Sequence, residues 1–201
     1  MFVFPKYLIF HPFDGFDEFK RYRKGKMWVA LVYVALFAFY RIMAYQYESF
    51  LINPNDPLAL NSLQEIFAVI LLVMLFSVGN WSMTTLMEGK GSFREILKVT
   101  GYALFPLVLI GFIGLMLSNF LTLEEMGFYR LLLFIGYIAS GWVLFMGILN
   151  IHEYGLFKTL MAFLLTFVAM GVMMFIGLLF FDLIQQFIAF IVAIYEELSL
   201  R

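Results

Sequence analysis

The sequence predicts an all-α fold, a polytopic membrane helix bundle with five transmembrane helices and an interfacial helix at each terminus. Composition is the first reason: 64% of the 201 residues are hydrophobic and 13% are charged, against about 45–50% and about 25% in soluble domains. The second reason is that the apolar residues form continuous runs, most of them near the ~20 residues that a helix needs to cross a bilayer. Only helices and closed barrels satisfy their backbone groups in lipid, and continuous rather than alternating runs favour helices.

Three segments divide the chain. Residues 1–26 are predicted to form a cytoplasmic, amphipathic and basic N-terminal segment, residues 27–181 the membrane domain, and residues 182–201 an amphipathic C-terminal helix. Because no signal peptide is recognisable at the N-terminus, the first span is expected to direct insertion itself. The five predicted spans lie near residues 27–45, 66–83, 99–118, 131–149 and 159–181.

Local sequence marks the helix starts. A Ser or Thr followed three residues later by Glu is typical of a capping box, in which the two side chains satisfy backbone N–H groups at the helix start. The third of these pairs precedes its span by several residues, which predicts a short interfacial turn before the helix. The pattern predicts starts at Ser62 with Glu65, Ser92 with Glu95, and Thr122 with Glu125.

The third span contains a proline. Pro106 lacks a backbone N–H and its ring clashes with the preceding turn, so it is expected to kink the helix. Small residues at four-residue spacing favour close helix packing. They occur as Gly114 with Ser118 in the third span and as Gly136 with Ser140 in the fourth.

Aromatic residues follow near-helical spacing in the N-terminal segment. Phe13, Phe16, Phe19 and Tyr22 share one face, and a basic cluster lies beside and after them. The pattern predicts an amphipathic helix on the inner leaflet, with its basic residues near anionic lipid headgroups. The alternative is a simple topology anchor.

The tail from residue 182 onward also has an apolar face. Its apolar centre is too short for a comfortable span. An interfacial helix is therefore predicted, or a continuation of the fifth span packed on the bundle. A sixth span, which would place the C-terminus inside, is the remaining alternative. The face consists of Leu183, Phe187, Phe190, Ile191, Ile194 and Leu198.

The basic residues predict the orientation. With the N-terminus in the cytoplasm, ten of the thirteen Lys and Arg residues face the cytoplasm, as the positive-inside rule prefers. After five spans the C-terminus then lies outside the cell membrane. Arg41, near the outer end of the first span, is expected to extend its head group to the interface. The net charge of −1 indicates no nucleic-acid partner.

Polar residues and glycines mark the inner end of the second span. Asn80, Ser82, Thr84 and Thr85 precede a loop in which Lys90 stands between two glycines. Polar residues at membrane depth usually bond across helices, and a substrate path is the alternative. A phosphate-binding Walker loop has its lysine after the last glycine and follows a strand. The loop is therefore interpreted as a tight turn that ends in a capped helix start.

A second polar group follows the fourth span. A histidine beside a carboxylate, as in His152 and Glu153, could indicate a site for acid–base chemistry or for a metal ion. A zincin helix needs a second histidine four residues after the first, and position 156 is a leucine. The favoured interpretation is a polar cluster at the cytoplasmic interface, in which Tyr154 and Lys158 hold the histidine in a hydrogen-bonded network.

Two motifs resemble a known family. The loop reads Gly-x-Gly-Ser-Phe-x-Glu-Ile from Gly89, and Gly-Tyr-Ala-Leu-x-Pro follows from Gly101. Together they resemble the Yip-domain family, and the stretches 11–16 and 151–154 resemble its versions in Gram-positive bacteria. The resemblance implies a five-span membrane domain with a cytoplasmic N-terminus and no catalytic motif. Eukaryotic members bind Rab GTPases and carry a long cytoplasmic N-terminal region before the domain. Only residues 1–26 precede the first span here, so Rab-type binding is not expected.

The favoured function is a non-catalytic membrane scaffold or accessory subunit. Its expected partners are membrane lipids and another integral membrane protein, for example a transporter permease, or a second copy of the chain. No catalytic residue, metal or cofactor is expected. A small-molecule or lipid transporter is the main alternative, and an intramembrane enzyme using His152 and Glu153 is the third. The candidate partner or polar-network contacts are Asn80, Trp81, Thr84, Thr85, Glu88, Lys90, Arg94, Tyr102, Pro106, His152, Glu153, Tyr154 and Lys158.

Overall fold

The fold is an all-α bundle, as predicted. The computed structural model describes residue 7, residues 12–21 and residues 25–199. Five helical segments in these ranges are long and apolar enough to cross a membrane. The predicted residues Lys6, His11, Tyr22, Arg23, Lys24 and Arg201 lie outside the described ranges. The helices are α1 Pro12–Arg21, α2 Met27–Tyr47, α3 Ser62–Leu86, α4 Phe93–Ala103, α5 Phe105–Ser118, α6 Met126–His152 and α7 Leu156–Ser199, with 3₁₀ turns at Pro57–Ala59 and Leu123–Glu125.

The third span lies at the centre of the bundle and is the most buried of the five. It is broken at Leu104, where α4 ends and α5 begins, so that Pro106 lies in the first turn of a new helix and not in the interior of a continuous one. The backbone N–H of Leu107 donates to the hydroxyl of Ser140 in α6 at 3.0 Å. The predicted break is confirmed, and a neighbouring helix supplies the acceptor that the interrupted helix lacks.

Elements start at all three predicted positions, and two of these starts have the predicted capping box. Capping boxes form at Ser92 before α4 and at Thr122 before the 3₁₀ turn that leads into α6. The start of α3 differs, since the side chain of Asn61 accepts from the N–H of Gln64 at 3.2 Å. Glu65 does not complete a box with Ser62 and instead forms an ion pair with Arg41.

The contact between Arg41 and Glu65 also changes the expectation for Arg41. An Arg41 guanidinium nitrogen lies 3.1 Å from a carboxylate oxygen of Glu65. The guanidinium therefore binds a carboxylate on the next helix. The sequence had indicated only that it would reach the headgroup region.

Two aromatic side chains of α1 are buried in protein. Phe16 and Phe19 have 0% and 2% of their surface exposed. They join the core formed by α2, α4 and α6. A Cβ atom at Gly147 in α6 would lie 3.0 Å from the Phe16 ring, so the missing side chain makes room for that ring. This corrects the expectation that these two rings lie against the inner leaflet: helices of the same chain offer them a groove.

Helix α7 is one helix of 44 residues. Its first half packs mainly on α3 through Thr159, Ala162, Thr166 and Ala169, which are its buried residues. Every residue from Phe181 to Ser199 is exposed. The tail is thus a continuation of the fifth span, one of the two predicted forms, but it is not packed on the bundle.

Candidate functional site

Helices α3 and α6 end side by side at the end of the bundle that carries α1, and both end in the same way. At the end of α3 Glu88 has a φ of 58°, and the N–H of Gly89 donates to the carbonyl of Thr84 at 2.8 Å. At the end of α6 Glu153 has a φ of 56°, and the N–H of Tyr154 donates to a carbonyl five residues earlier at 3.0 Å. These are Schellman turns, which usually place glycine in the left-handed position. Here glutamate occupies it both times.

Gly89 and Gly91 lie so close to neighbouring side chains that a Cβ atom would not fit at either position. Gly89 and Gly91 do not have positive φ angles. A Cβ atom at Gly89 would lie 2.3 Å from Nδ1 of His152 and 2.6 Å from the hydroxyl of Tyr154. The loop after α3 therefore lies directly on the side chains that follow α6.

His152 is the buried centre of this contact, with 2% of its surface exposed. Its Nδ1 accepts a hydrogen bond from the backbone N–H of Gly91 at 3.2 Å. An accepting Nδ1 places the proton of the neutral imidazole on Nε2. Within the described part of the chain Nε2 has no hydrogen-bond partner. The ring thus acts as a backbone acceptor that ties the α3–α4 loop to α6.

Tyr154 packs on His152 and does not hydrogen-bond to it. The two rings are stacked, with centroids 5.2 Å apart and planes 22° apart. The tyrosine hydroxyl is shared between the carbonyls of Thr84 and Met87, each at 3.2 Å. Lys158 Nζ lies 4.5 Å from the centre of the Tyr154 ring, a cation–π contact. The predicted cluster of His152, Tyr154 and Lys158 therefore exists, but stacking replaces the expected hydrogen bonds.

The hydroxyl of Tyr154 caps the C-terminal end of α3. The last carbonyls of a helix have no partner within the helix. Burial, with a smaller contribution from the charge of Glu88, raises the pKa of the Tyr154 hydroxyl. It therefore stays protonated and remains a donor to the end of α3.

Glu153 carries the ionic contacts of the cluster. Its carboxylate lies 2.7 Å from Lys20 of α1 and 2.5 Å from Lys90 of the α3–α4 loop. These two hydrogen-bonded lysines lower the pKa of the Glu153 carboxyl to about 2. A cleft of about 380 Å³ adjoins them and is lined in part by Asp17 and Asn150.

One turn deeper, α3 is joined to α7 by polar side chains. Asn80 Nδ2 donates to the hydroxyl of Thr166 at 3.0 Å, and both residues are buried. The hydroxyls of Thr84 and Thr85 donate to backbone carbonyls of their own helix. Trp81 meets the edge of the Phe93 ring at the start of α4.

The other predicted site residues lie apart from the cluster. Glu88 and Arg94 are exposed at its edge. The Tyr102 hydroxyl accepts from the backbone N–H of Lys26 at 3.1 Å, and the Tyr102 ring packs edge-on to Phe19. Pro106 lies in the first turn of α5.

The arrangement joins three segments that are distant in sequence. Lys20 is the contact that local patterns could not identify, since 133 positions separate it from Glu153. In the part of the chain that the structure describes, no group of three or more His, Cys, Asp or Glu residues is placed to hold a metal ion. Backbone acceptance, stacking and ion pairing are structural interactions, so the cluster can fix α1 and the α3–α4 loop to the start of α7.

Comparison with known proteins gives one match. The family model described as Yip1 domain matches residues 6–194, nearly the whole chain. No curated protein and no solved structure matches the chain.

Proposed function

The chain belongs to the Yip1 domain family, and from that membership and the shape of its fifth span we propose that it is a non-catalytic scaffold or accessory subunit that binds another integral membrane protein. Family membership and five helices that are long and apolar enough to cross a bilayer make the chain a multi-pass membrane protein. In the proposed arrangement it lies in the cell membrane. The cluster around His152 faces the cytoplasm, and the end of α7 lies on the other side.

The length of α7 carries the proposal. A helix of 44 residues is about 66 Å long at ~1.5 Å per residue. The hydrocarbon core is about 30 Å thick, or about 40–45 Å with the headgroups. Even at a tilt of ~40°, the upper end of the observed range, such a helix reaches about 50 Å along the bilayer normal. Its last turns therefore extend beyond the lipid.

Polar residues of α7 lie where the helix is expected to leave the hydrocarbon core. Asp182 and Gln186 hydrogen-bond to each other at 2.8 Å, about 39 Å from the start of the helix at ~1.5 Å per residue. This depth corresponds to the headgroup region at the far side of the membrane.

The segment beyond that point is apolar and uncovered. We call residues 183–198 the projecting segment. Large exposed apolar patches on a protein surface mark interaction sites, since water does not solvate them favourably. Its large apolar side chains are 36–72% exposed, and include Leu183, Phe187, Phe190, Ile191, Ile194 and Leu198.

We favour an integral membrane protein as the occupant. The projecting segment continues a transmembrane helix without a break, so a partner that covers it must lie at the same membrane surface. A second copy of the chain is the alternative outcome of the test.

A transport function has less support. The donor groups that a path would use are engaged: Asn80 Nδ2 donates to Thr166, the Thr84 hydroxyl donates to the carbonyl of Asn80, and Asn119 Nδ2 donates to the carbonyl of Tyr47. Among the described residues the Asn80 amide oxygen is buried without a hydrogen-bond partner. Ionisable groups within a membrane segment are the usual mark of a substrate path. The charged residues of α7 are Lys158 near its start, Asp182, and Glu196 and Glu197 in its last turn, so none lies in the middle of the span.

The test replaces phenylalanines along α7. Phe187 and Phe190 lie in the projecting segment and are 63% and 62% exposed. Phe175 and Phe180 lie within the membrane-embedded half and are 62% and 59% exposed, so they are matched controls. The tagged full-length chain is crosslinked in its native membrane, purified, and examined by mass spectrometry for a stoichiometric integral membrane protein.

The expected result is one such partner, lost in the Phe187→Ala/Phe190→Ala variant and retained in Phe175→Ala/Phe180→Ala. Crosslinks only between copies of the chain would identify a homo-oligomer and reject the accessory-subunit proposal. Recovery of an uncrosslinked chain by itself would also reject it. A liposome flux assay would then test transport.

A further inference from the structure

A second polar site lies at the opposite end of the bundle. A cavity of about 140 Å³ opens between α2 and α6, near the end that carries the 3₁₀ turn Pro57–Ala59. Four tyrosines line it, Tyr40, Tyr45, Tyr129 and Tyr137, together with the charged residues Arg41 and Glu48. Neither the family match nor the proposed scaffold function accounts for this group.

The charges of the cavity do not cancel. Arg41 is paired with Glu65, with its Nε and one terminal guanidinium nitrogen each 3.1 Å from the same carboxylate oxygen. Glu48 accepts a short hydrogen bond from the Tyr129 hydroxyl, which is neutral. No described lysine or arginine forms an ion pair with Glu48. One negative charge is therefore left on the cavity wall.

The helix that carries Glu48 adds to that charge. Glu48 is the C-cap of α2, and the carbonyl end of a helix carries a partial negative charge that favours a bound cation.

The aromatic walls select the kind of cation. The faces of tyrosine rings attract ammonium groups electrostatically, and several rings around one cavity are the usual way of recognising quaternary ammonium ligands. A small hydrated metal ion would need several oxygen ligands, whereas Glu48 is the only unpaired carboxylate among the residues that line the cavity. Rings and one carboxylate suit an organic ammonium ion better.

The volume limits the ligand. An engineered apolar cavity of about 150 Å³ holds a benzene molecule, and drug-sized ligands need about 300–1,000 Å³. A cavity of about 140 Å³ therefore fits a head group and excludes a whole drug-sized molecule.

We propose that the cavity formed by Tyr40, Tyr45, Tyr129, Tyr137 and Glu48 binds an organic ammonium group. The group comes either from a lipid headgroup or from a free amine. Glu48 supplies the counter-charge, and the tyrosine faces enclose the methyl or methylene groups around the nitrogen. Exposed Tyr137, at 54% exposure, forms the entrance, while Tyr129, at 3%, forms the floor.

The test uses the full-length protein in dodecyl maltoside, a detergent without an ammonium group. Choline chloride is the probe, and its binding is followed by saturation-transfer NMR of the trimethylammonium protons. Saturable binding is expected for the wild type. Glu48→Gln keeps the size of the side chain and its ability to accept from Tyr129, and it should weaken binding at least tenfold.

Two further variants separate binding from folding. Glu124→Gln removes an exposed carboxylate at the same end that does not line the cavity, and its choline affinity should equal that of the wild type. Tyr137→Leu removes one exposed ring and should weaken binding several-fold with an unchanged thermal midpoint. A short-chain phosphatidylcholine that displaces choline identifies a lipid source, and failure to displace it identifies a free amine.

Either of two results would overturn the proposal. One is no saturable choline binding to folded wild-type protein. The other is binding that Glu48→Gln and Glu124→Gln affect equally. Neither result depends on whether α7 has a protein partner, so this site and the proposed scaffold function are tested separately.

Discussion

The start and the end of α7 belong to one uninterrupted helix but differ in what surrounds them. At its start, Lys158 and the preceding turn are joined to α1 and the α3–α4 loop through Tyr154 and Glu153. At its end, the projecting segment, residues 183–198, is exposed at every position. Both regions have the backbone hydrogen bonds of a regular helix or turn, so the difference lies entirely in tertiary contacts.

That difference distinguishes residues that stabilise the fold from residues that are free to bind a partner. Around His152 the side chains of Glu153, Tyr154 and Lys158 are each placed by a contact within the chain, and substitutions there should act on stability. The projecting segment contributes no contact to the bundle, so substitutions there should leave stability unchanged and affect only what binds to it. The predictions below test this division, starting with the largest effect.

The largest effect is expected from Gly89→Ala. A Cβ atom there would lie 2.3 Å from Nδ1 of His152 and 2.9 Å from the carbonyl oxygen of Thr84. Overpacking of a tightly packed site costs about 1–3 kcal/mol. The thermal midpoint of the purified protein in detergent should fall. Gly155→Ala is the control, since a Cβ atom there meets nothing within 4 Å; equal midpoints for the two variants would contradict the close contact.

A smaller loss is expected from Tyr154→Phe. The change removes the hydroxyl that donates to the carbonyls of Thr84 and Met87 but keeps the stacked ring. Loss of such a hydrogen bond costs about 0.5–1.5 kcal/mol. Tyr195→Phe alters a tyrosine that is 72% exposed near the end of α7 and should not change the midpoint. If both variants melt alike, the hydroxyl does not support the end of α3.

The Glu153 ion pairs should give a small, pH-dependent contribution. The pKa of its carboxyl is lowered from 4.5 to about 2 in the folded protein. A lowered folded pKa means stability that is present above the unfolded value and is lost as the pH falls from about 4.5 towards 2. Thermal midpoints of the wild type and Glu153→Gln should therefore differ at pH 7 and converge at low pH. A constant difference down to pH 2 would assign the effect to another cause.

No loss of stability is expected when residues 183–201 are removed. The described residues of this segment, up to Ser199, are all exposed, so the bundle loses no packing. The thermal midpoint should match that of the full chain, while the crosslinked membrane partner is lost. A lower midpoint would mean that the segment stabilises the bundle, and the division between the two regions would fail.

The order of the elements could be predicted well from local sequence. The predicted start of the first span at residue 27 and the end of the third at residue 118 match α2 and α5. Ser92 and Thr122 start their elements as the capping pattern indicates. Helix α3 also starts at Ser62, but Asn61 caps it and Glu65, which would complete the box, binds Arg41 of another helix. Local patterns therefore hold until a long-range charge competes for the same side chain.

The candidate site could be predicted only in part. His152, Tyr154 and Lys158 are neighbours in sequence and form one cluster, as expected. The partner of His152, the backbone N–H of Gly91, is 61 positions away. The tyrosine-lined cavity was not predicted, because its walls come from two helices whose relative rotation no sequence pattern fixes.

By itself, the sequence determined the membrane class, the number of spans and the break before Pro106. These depend on the partition of apolar side chains into lipid and on backbone hydrogen bonds within about one helical turn. Only the tertiary structure decided that the rings of Phe16 and Phe19 pack in protein, that Glu153 joins Lys20 to Lys90, and that the end of α7 stays uncovered. Such outcomes depend on which surfaces meet after the helices assemble, and those surfaces come from residues far apart in the chain.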